Sequence, residues 1–246
     1  MQARCYRGYK PLPRQMMMFQ NFIGMTWEAR SVQARCYRGY KPLPRQMMMF
    51  LNFIWITVVA YLLGTIPFGV LVGYAVTRRD IRAGGSGHSG ATNTYRQAGV
   101  WAAALVALLD VTKGYAAGWL ALRFGVNAWV VIPAGAAVVA GHCWPLFAGF
   151  RGGMGLGTVG GVLLAVYPLG VALGLTLAAA GSLVLRHTAR GNMLAGGLLG
   201  PVLWLFNQTL VIGLLGAALG LVVAVRSSSD WGRVYRELWL DRDKRA

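Results

Sequence analysis

Long apolar stretches, separated by short polar loops, constrain this chain more than any other feature. The first, residues 53–76, carries no charged residue and is longer than 20 residues. About 20 apolar residues in a helix cross the ~30 Å hydrocarbon core of a bilayer. This stretch therefore predicts a membrane-spanning helix, with a kink at Pro67 and a flat helix-packing face at Gly69 and Gly73.

The remaining apolar stretches predict six more spans. The expected fold class is all-α, a polytopic membrane helical bundle of about seven transmembrane helices with cytoplasmic glycine-rich loops. Composition agrees, since 13% of the residues are charged, whereas soluble domains are about 25% charged. The run at 154–185 is too long for one helix, and Tyr167-Pro168 is expected to divide it. The other expected spans are 100–122, 128–147, 193–206 and 209–225.

Arginines are concentrated in alternate loops. If the first span runs from outside to inside, the loops at 78–96, 148–153 and 186–192 share one face with the chain from Arg226 onward. The opposite loops hold only Arg123. Since loops rich in Lys and Arg remain in the cytoplasm, the glycine-rich loops and the C-terminus are predicted to be cytoplasmic.

The N-terminal region contains a duplication. Residues 2–23 return as residues 33–54, with Gln20 replaced by Leu51 as the only difference. Repeats that build a fold need about three or more copies, so two nearly identical copies indicate a recent tandem duplication. We expect residues 1–48 to be a basic extension outside the fold, followed by a transmembrane domain at 49–240 and a charged tail at 241–246. The alternative is a basic tail that adsorbs to anionic lipid.

A glycine- and hydroxyl-rich loop, Gly84-Gly-Ser-Gly-His-Ser-Gly-Ala-Thr-Asn-Thr-Tyr-Arg96, separates the first two spans. Its glycines allow backbone amides to approach a ligand, and the helix that follows begins with unpaired N–H groups and partial positive charge. Arginine can bind phosphate through two hydrogen bonds. The loop therefore predicts an anion site. The alternative is a loop whose glycines only turn the chain and whose Asn93 only caps a helix.

A second glycine-rich segment, residues 141–158, lies on the same predicted face. His142 precedes a Trp-Pro helix exit, and Arg151 leads a glycine cluster that opens the next span. Two such loops could enclose two anions. His142 has an alternative interpretation as a hydrogen-bonded residue at a helix end, and Cys143 is expected to be a small apolar filler.

Two charged residues, Asp110 and Lys113, fall in the middle of the second span. Their spacing places them on one helical face. Ionisable residues inside a membrane are costly and are functional candidates. The pair is therefore either a functional site or a mutually neutralising structural pair.

Four ordered motifs resemble the bacterial membrane-integral acyl-phosphate:glycerol-3-phosphate acyltransferase family (PlsY). They are Tyr61-Leu-Leu-Gly-Thr-Ile-Pro-Phe-Gly69, the loop at 85–93, Leu109-Asp-x-x-Lys-Gly114, and Gly141-His-x-Trp-Pro-x-Phe147 with Gly152-Gly153. The resemblance implies a multi-pass enzyme of the bacterial inner membrane that moves an acyl group from acyl-phosphate to the 1-hydroxyl of glycerol 3-phosphate, making lysophosphatidic acid. It implies no cofactor, no metal and no nucleic-acid partner.

The resemblance also implies site residues. Ser86 and Arg96 match the serine and arginine of the family's phosphate site, and His142 is expected nearby, which makes these three the candidate catalytic residues. The residues expected to bind substrate are Gly85, Gly87, His88, Gly90, Asn93, Arg151, Gly152 and Gly153.

The chain departs from the family pattern at four positions. His88 stands where the family has Asn, Met154 replaces a lysine, and Ser227 and Asp230 replace a His and an Asn. An ionised Asp230 pointing inward would repel phosphate. A catalytically weakened relative that binds a phospholipid or phosphate compound is therefore an alternative function. A small-solute transporter is a further one, suggested by Asp110 and Lys113.

Overall fold

The computed structural model describes residues 44–233. The predictions for most of the duplicated N-terminal region and for the tail at 241–246 concern residues outside this range. Residues 44–233 form nine α-helices and three short 3-10 turns. The turns are Ile81–Ala83, Ala128–Val130 and Leu146–Ala148.

The first half of the described range holds five helices. Pro67 does not kink a continuous first span, as the sequence predicted, but separates two helices, because it follows the last turn of one helix and caps the next. The helices are α1 (Arg45–Gly64), α2 (Phe68–Thr77), α3 (Ala91–Ala98), α4 (Val100–Phe124) and α5 (Val131–Cys143).

The second half holds four helices. The predicted division at Tyr167-Pro168 is confirmed, and Gln208 ends the eighth helix in the left-handed region at φ 60°. The helices are α6 (Leu156–Val166), α7 (Leu169–Leu185), α8 (Thr188–Asn207) and α9 (Leu210–Ser228).

Four segments of the described range are long and apolar enough to cross a bilayer: Arg45–Thr77, Val100–Phe124, Ala128–Ala148 and Leu210–Ser228. The helices α6 and α7 are apolar but shorter. Large apolar side chains such as Trp101, Leu175 and Val184 point outward, as expected for a surface that faces lipid. The all-α membrane bundle is therefore confirmed, and the count of seven spans stays a prediction.

The core lies where α5 meets α1, α6 and α9. Val138, Val139, Leu163 and Leu219 are among its fully buried members, and Cys143 is buried with them as a small apolar residue. The helices α8 and α9 approach very closely, because a Cβ at Gly196 would collide with the backbone of Gly220. Small residues at such contacts are what allow helices to pack tightly in a membrane.

The glycines of α2 have a different role from the predicted one. Gly69 packs against the backbone of Ser89, and Gly73 packs against the side chain of Ile81. Both contacts are with the polar segment that follows α2 instead of with another long helix. Gly69 therefore seats the glycine-rich loop directly on α2, and Gly73 seats the turn that precedes the loop.

Candidate active site

The two glycine-rich loops predicted to bind anions lie against each other. We define the first loop as residues 84–90, before α3, and the second as residues 144–155, between α5 and α6. The Ser89 amide donates to the Gly152 carbonyl at 3.4 Å. The Arg82 guanidinium donates to the carbonyls of Ala148 at 2.6 Å and Arg151 at 3.2 Å. Both loops therefore belong to the same side of the bundle and border one site.

Asn93 folds the first loop. Its side-chain nitrogen donates to the carbonyls of Ile81 at 2.8 Å and His88 at 2.9 Å, and its oxygen accepts from the Ser86 amide at 2.9 Å. Gly85 has φ 59°, and a Cβ there would collide with the Asn93 side chain. Asn93, which is 1% exposed, thus fixes the backbone that presents Ser86.

His142 folds the second loop. Its carbonyl accepts from the Gly153 amide at 3.2 Å, and the neighbouring Cys143 carbonyl accepts from the Gly152 amide at 3.2 Å. A Cβ at Gly153 would collide with the His142 ring. The last turn of α5 and the glycine pair therefore pack without space for a side chain, which positions the start of α6.

The end of α9 joins both loops. Arg226 donates to the Gly153 carbonyl at 3.0 Å and to His88 Nδ1 at 2.9 Å. Arg233 donates to the Ser86 carbonyl at 2.9 Å. Three segments that are distant in sequence thus meet through two arginines.

Asp230 is the anionic centre of this junction. Its Oδ2 lies 2.8 Å from His88 Nε2 and 2.9 Å from the Arg233 guanidinium. Since Arg226 donates to His88 Nδ1, the His88 proton resides on Nε2 and is donated to Asp230. Burial raises the pKa of the Asp230 carboxyl, but the hydrogen bond from His88 and the charges of Arg233 and Arg226 outweigh burial and hold this pKa below its usual value. The carboxylate is therefore ionised and its charge is paired.

A cavity of about 310 Å³ lies between the two loops and the helices around them. Three helices begin at its wall: α3 after Gly90, α6 after Gly155 and α8 at Thr188. Helix starts present N–H groups and partial positive charge to anions. The polar and charged side chains that line the cavity are Ser86, His88, Thr92, Asn93, Arg96, Asp110, His142, Thr188, Asn192, Asp230 and Arg233.

Asp110 and Lys113 form a buried ion pair at 2.9 Å. His142 Nδ1 lies 3.3 Å from the same Asp110 oxygen, and the Lys113 ammonium donates to the Ile66 carbonyl at 3.2 Å. Asp110 and His142 line the cavity. The pair is thus mutually neutralising and also connects α4 to the helix end that carries His142.

The sequence-predicted residues divide into two groups. Ser86, His88, Gly90, Asn93, Arg96 and His142 line the cavity. Gly85, Gly87, Gly152 and Gly153 shape the loops behind it, and Arg151 is exposed on the second loop.

Sequence reasoning did not select Thr188, Asn192 or Arg233, which also line the cavity. The polarity of segment 186–192, which interrupts two apolar runs, was the available signal for the first two. Arg233 carried no local signal, since its place in the site depends on the turn that follows α9.

Comparisons with known proteins agree with this architecture. A sequence model of the family described as glycerol-3-phosphate acyltransferase matches residues 54–237. Glycerol-3-phosphate acyltransferase 3 of Dehalococcoides mccartyi is 46% identical over 131 residues, which cover 48% of this chain and 61% of that protein. Glycerol-3-phosphate acyltransferase of Symbiobacterium thermophilum is 36% identical over 179 residues, which cover 73% of this chain and 89% of that protein.

The crystal structure of PlsY (YgiH), an integral membrane glycerol 3-phosphate acyltransferase in its glycerol 3-phosphate form, has a similar fold. The TM-score is 0.63 at 30% sequence identity, and the match covers 74% of this chain and 90% of that chain. The fold and the site thus define an integral membrane acyltransferase. The chain belongs to the glycerol-3-phosphate acyltransferase family.

Proposed function

We propose that this protein transfers a fatty acyl group from acyl-phosphate to the 1-hydroxyl of glycerol 3-phosphate and so makes lysophosphatidic acid. Acyl transfer to glycerol 3-phosphate is the reaction of the family. The use of acyl-phosphate as the acyl donor is our proposal. One observation carries the proposal: Ser86, Arg96 and the starts of three helices border a single cavity. Such a cavity suits a ligand pair that carries two phosphates.

Arg96, Ser86 and the first N–H groups of α3 are proposed to hold the phosphate of glycerol 3-phosphate. Arginine supplies a fixed positive charge and two parallel donors, while a serine hydroxyl adds a neutral donor. Arg151, Gly152 and Gly153 lead toward the start of α6, where we place the phosphate of the donor. His142 is proposed to orient the substrates beside the Asp110 carboxylate.

The reaction needs little from side chains beyond this positioning. The oxygen of the glycerol hydroxyl attacks the acyl carbon, the bond from that carbon to the phosphate oxygen breaks, and phosphate leaves with the electron pair and the hydroxyl proton. Acyl-phosphate is already activated, so holding the two substrates together and stabilising the charge that develops on the carbonyl oxygen account for catalysis.

The site is proposed to lie at the cytoplasmic face of the bacterial inner membrane. The arginine-bearing loops favour that orientation. We also propose that residues 1–48 are dispensable for the reaction, because the match to the family begins at residue 54. Removing them should leave kcat unchanged.

A catalytically weakened protein that binds a phosphate compound is the second candidate, favoured by Met154 in the cavity wall. The two candidates are distinguished with purified full-length protein, glycerol 3-phosphate and either acyl-phosphate or an acyl thioester. Lysophosphatidic acid and phosphate released in equal amounts from acyl-phosphate support the proposal. Binding of glycerol 3-phosphate without turnover supports the second candidate, and turnover of the thioester alone contradicts the proposed donor.

A further inference from the structure

A second, smaller cavity adjoins the polar one. It has a volume of about 60 Å³, and its wall is apolar, with Val159, Leu163, Leu199 and Val223 among its members. Leu175, which is 65% exposed, lines it as well, so this cavity reaches the outward surface of α7. Leu156 and Asn192 line both cavities. The larger cavity, whose wall carries the charged side chains, and a smaller apolar cavity thus share one boundary.

Asn192 stands out at this boundary because it is the polar one of the two residues that line both cavities. The residue is 2% exposed, and it forms no side-chain hydrogen bond with any residue of the described range 44–233. Buried polar side chains in proteins nearly always have hydrogen-bond partners. An unpaired amide between a polar and an apolar cavity is therefore placed to bind a polar group of a ligand that enters both.

The charged and apolar parts of an acyl-phosphate follow each other in the same order as the two cavities. Its phosphate is charged, its alkyl chain is apolar, and its carbonyl joins the two. If the phosphate occupies the polar cavity and the first methylene groups occupy the apolar one, the carbonyl lies at the boundary that Asn192 lines. A wholly polar ligand would leave the apolar cavity unused, so this geometry favours an amphipathic donor.

We propose that the side-chain amide of Asn192 donates a hydrogen bond to the carbonyl oxygen of the acyl donor. The proposal rests on the function proposed above and adds to it the residue that stabilises the reacting carbonyl. When the glycerol oxygen attacks the acyl carbon, negative charge develops on the carbonyl oxygen. The charge returns to the carbon as the bond to phosphate breaks. A donor fixed at this oxygen in a buried site binds the transition state more strongly than the ground state.

The chain offers variants that separate hydrogen bonding from packing. Asn192→Asp keeps the size of the side chain but replaces the donating nitrogen with an accepting oxygen. Asn192→Ser keeps a shorter donor, and Asn192→Ala removes all hydrogen bonding. Asn207→Ala is the matched control, since Asn207 lies at the opposite end of α8 and outside the wall of either cavity.

Steady-state kinetics with the full-length protein test the proposal. Asn192→Asp and Asn192→Ala should lower kcat by about 10²- to 10³-fold, as the loss of an oxyanion-binding donor does. The KM for glycerol 3-phosphate should stay the same, Asn192→Ser should recover part of the kcat, and Asn207→Ala should behave as wild type. A wild-type kcat in Asn192→Asp would overturn the proposal.

An infrared measurement provides a readout that does not depend on turnover. A non-hydrolysable acyl phosphonate that retains the carbonyl is bound to wild-type and Asn192→Asp protein. A hydrogen bond from Asn192 lowers the carbonyl stretching frequency in the wild type relative to the variant, and equal frequencies contradict it. If the wild-type protein uses an acyl thioester but not acyl-phosphate, the proposed donor is wrong. The role of Asn192 is then tested separately, by comparing the kcat of the Asn192 variants with the thioester as donor.

Discussion

His88 and Asp230 lie 142 positions apart in the sequence, yet His88 Nε2 and Asp230 Oδ2 are 2.8 Å apart. Both residues are positions where the chain departs from the pattern of the family that it resembles. Because they bond to each other, and because Arg226 and Arg233 bond to the same pair, the negative charge of Asp230 is compensated within the protein. The carboxylate that seemed unfavourable for phosphate binding therefore joins α9 to the first loop.

Asp230→Asn should destabilise the protein at neutral pH. The substitution removes the charge from hydrogen bonds that are worth about 1.5–3 kcal/mol when one partner is ionised. The pKa of Asp230 is lowered in the folded state, so its stabilising contribution is complete above the unfolded pKa of about 3.9 and is lost as the pH falls through the lower folded value. Thermal unfolding in detergent at a series of pH values measures the difference between variant and wild type.

Asp80→Asn is the control for this experiment. Asp80 also has a lowered pKa, caused mainly by its hydrogen bond from Arg82, but its side chain is 43% exposed. An exposed ion pair contributes no more than about 1 kcal/mol. Equal losses in the two variants, or a loss in Asp230→Asn that persists unchanged at acidic pH, would contradict the role assigned to Asp230.

Arg96→Ala should raise the KM for glycerol 3-phosphate or lower kcat/KM by roughly 10- to 100-fold, the effect of losing a charged hydrogen bond. Arg96 lines the cavity, whereas Arg151 is exposed on the second loop. Arg151→Ala should therefore cost less than Arg96→Ala. Arg79→Ala, an exposed arginine on the same side of the protein, serves as the control, and a loss of kcat/KM in that variant as large as in Arg96→Ala would refute the assignment.

Met154→Lys should strengthen the binding of phosphate. Met154 is half-buried in the cavity wall, where a lysine ammonium would add one positive charge. Since we place the donor phosphate at the start of α6, next to Met154, we expect the KM for acyl-phosphate to fall about fivefold, which corresponds to about 1 kcal/mol. Initial rates at varied substrate concentration give this KM, and Met154→Leu should leave it unchanged. An unchanged KM in Met154→Lys would show that phosphate does not approach this part of the wall.

Gly153→Ala should disturb the second loop, because the added Cβ would collide with the His142 ring. Overpacking of this kind costs about 1–3 kcal/mol. Gly197→Ala is the matched control, since Gly197 lies within α8 and has open space beside it. Thermal unfolding should show a lower midpoint for Gly153→Ala only. Equal midpoints for both variants would contradict the close packing at Gly153.

Local features of the sequence predicted the helices well, because they act over a few residues. Apolar runs of membrane length gave the main helices, and the Tyr167-Pro168 and Asn207-Gln208 breaks fall where the helices end. At Pro67 the sequence predicted a kink, but the helix is fully interrupted there. The sequence context of Pro67 did not reveal that α2 and its glycines would pack on the first loop, which required a complete break instead of a kink.

The site was less predictable, because its residues meet through contacts across long sequence separations. The glycine loops and Arg96 were recognisable as candidate anion-binding elements from the local sequence pattern. The side-chain oxygen and nitrogen of Asn93 both form hydrogen bonds with the loop backbone. No local sequence pattern distinguishes this structural role from substrate binding. Asn192 was not selected, since an amide within a polar segment carries no signal of its burial between two cavities.

Determination of the structure with glycerol 3-phosphate bound tests the central claim most directly. The claim is that the cavity between the two loops holds the substrate phosphate. We predict that the phosphate lies inside this cavity, with its oxygens at about 3 Å from the Arg96 guanidinium, the distance of a hydrogen bond. A phosphate bound outside the cavity, without contact to Arg96 or Ser86, would contradict it.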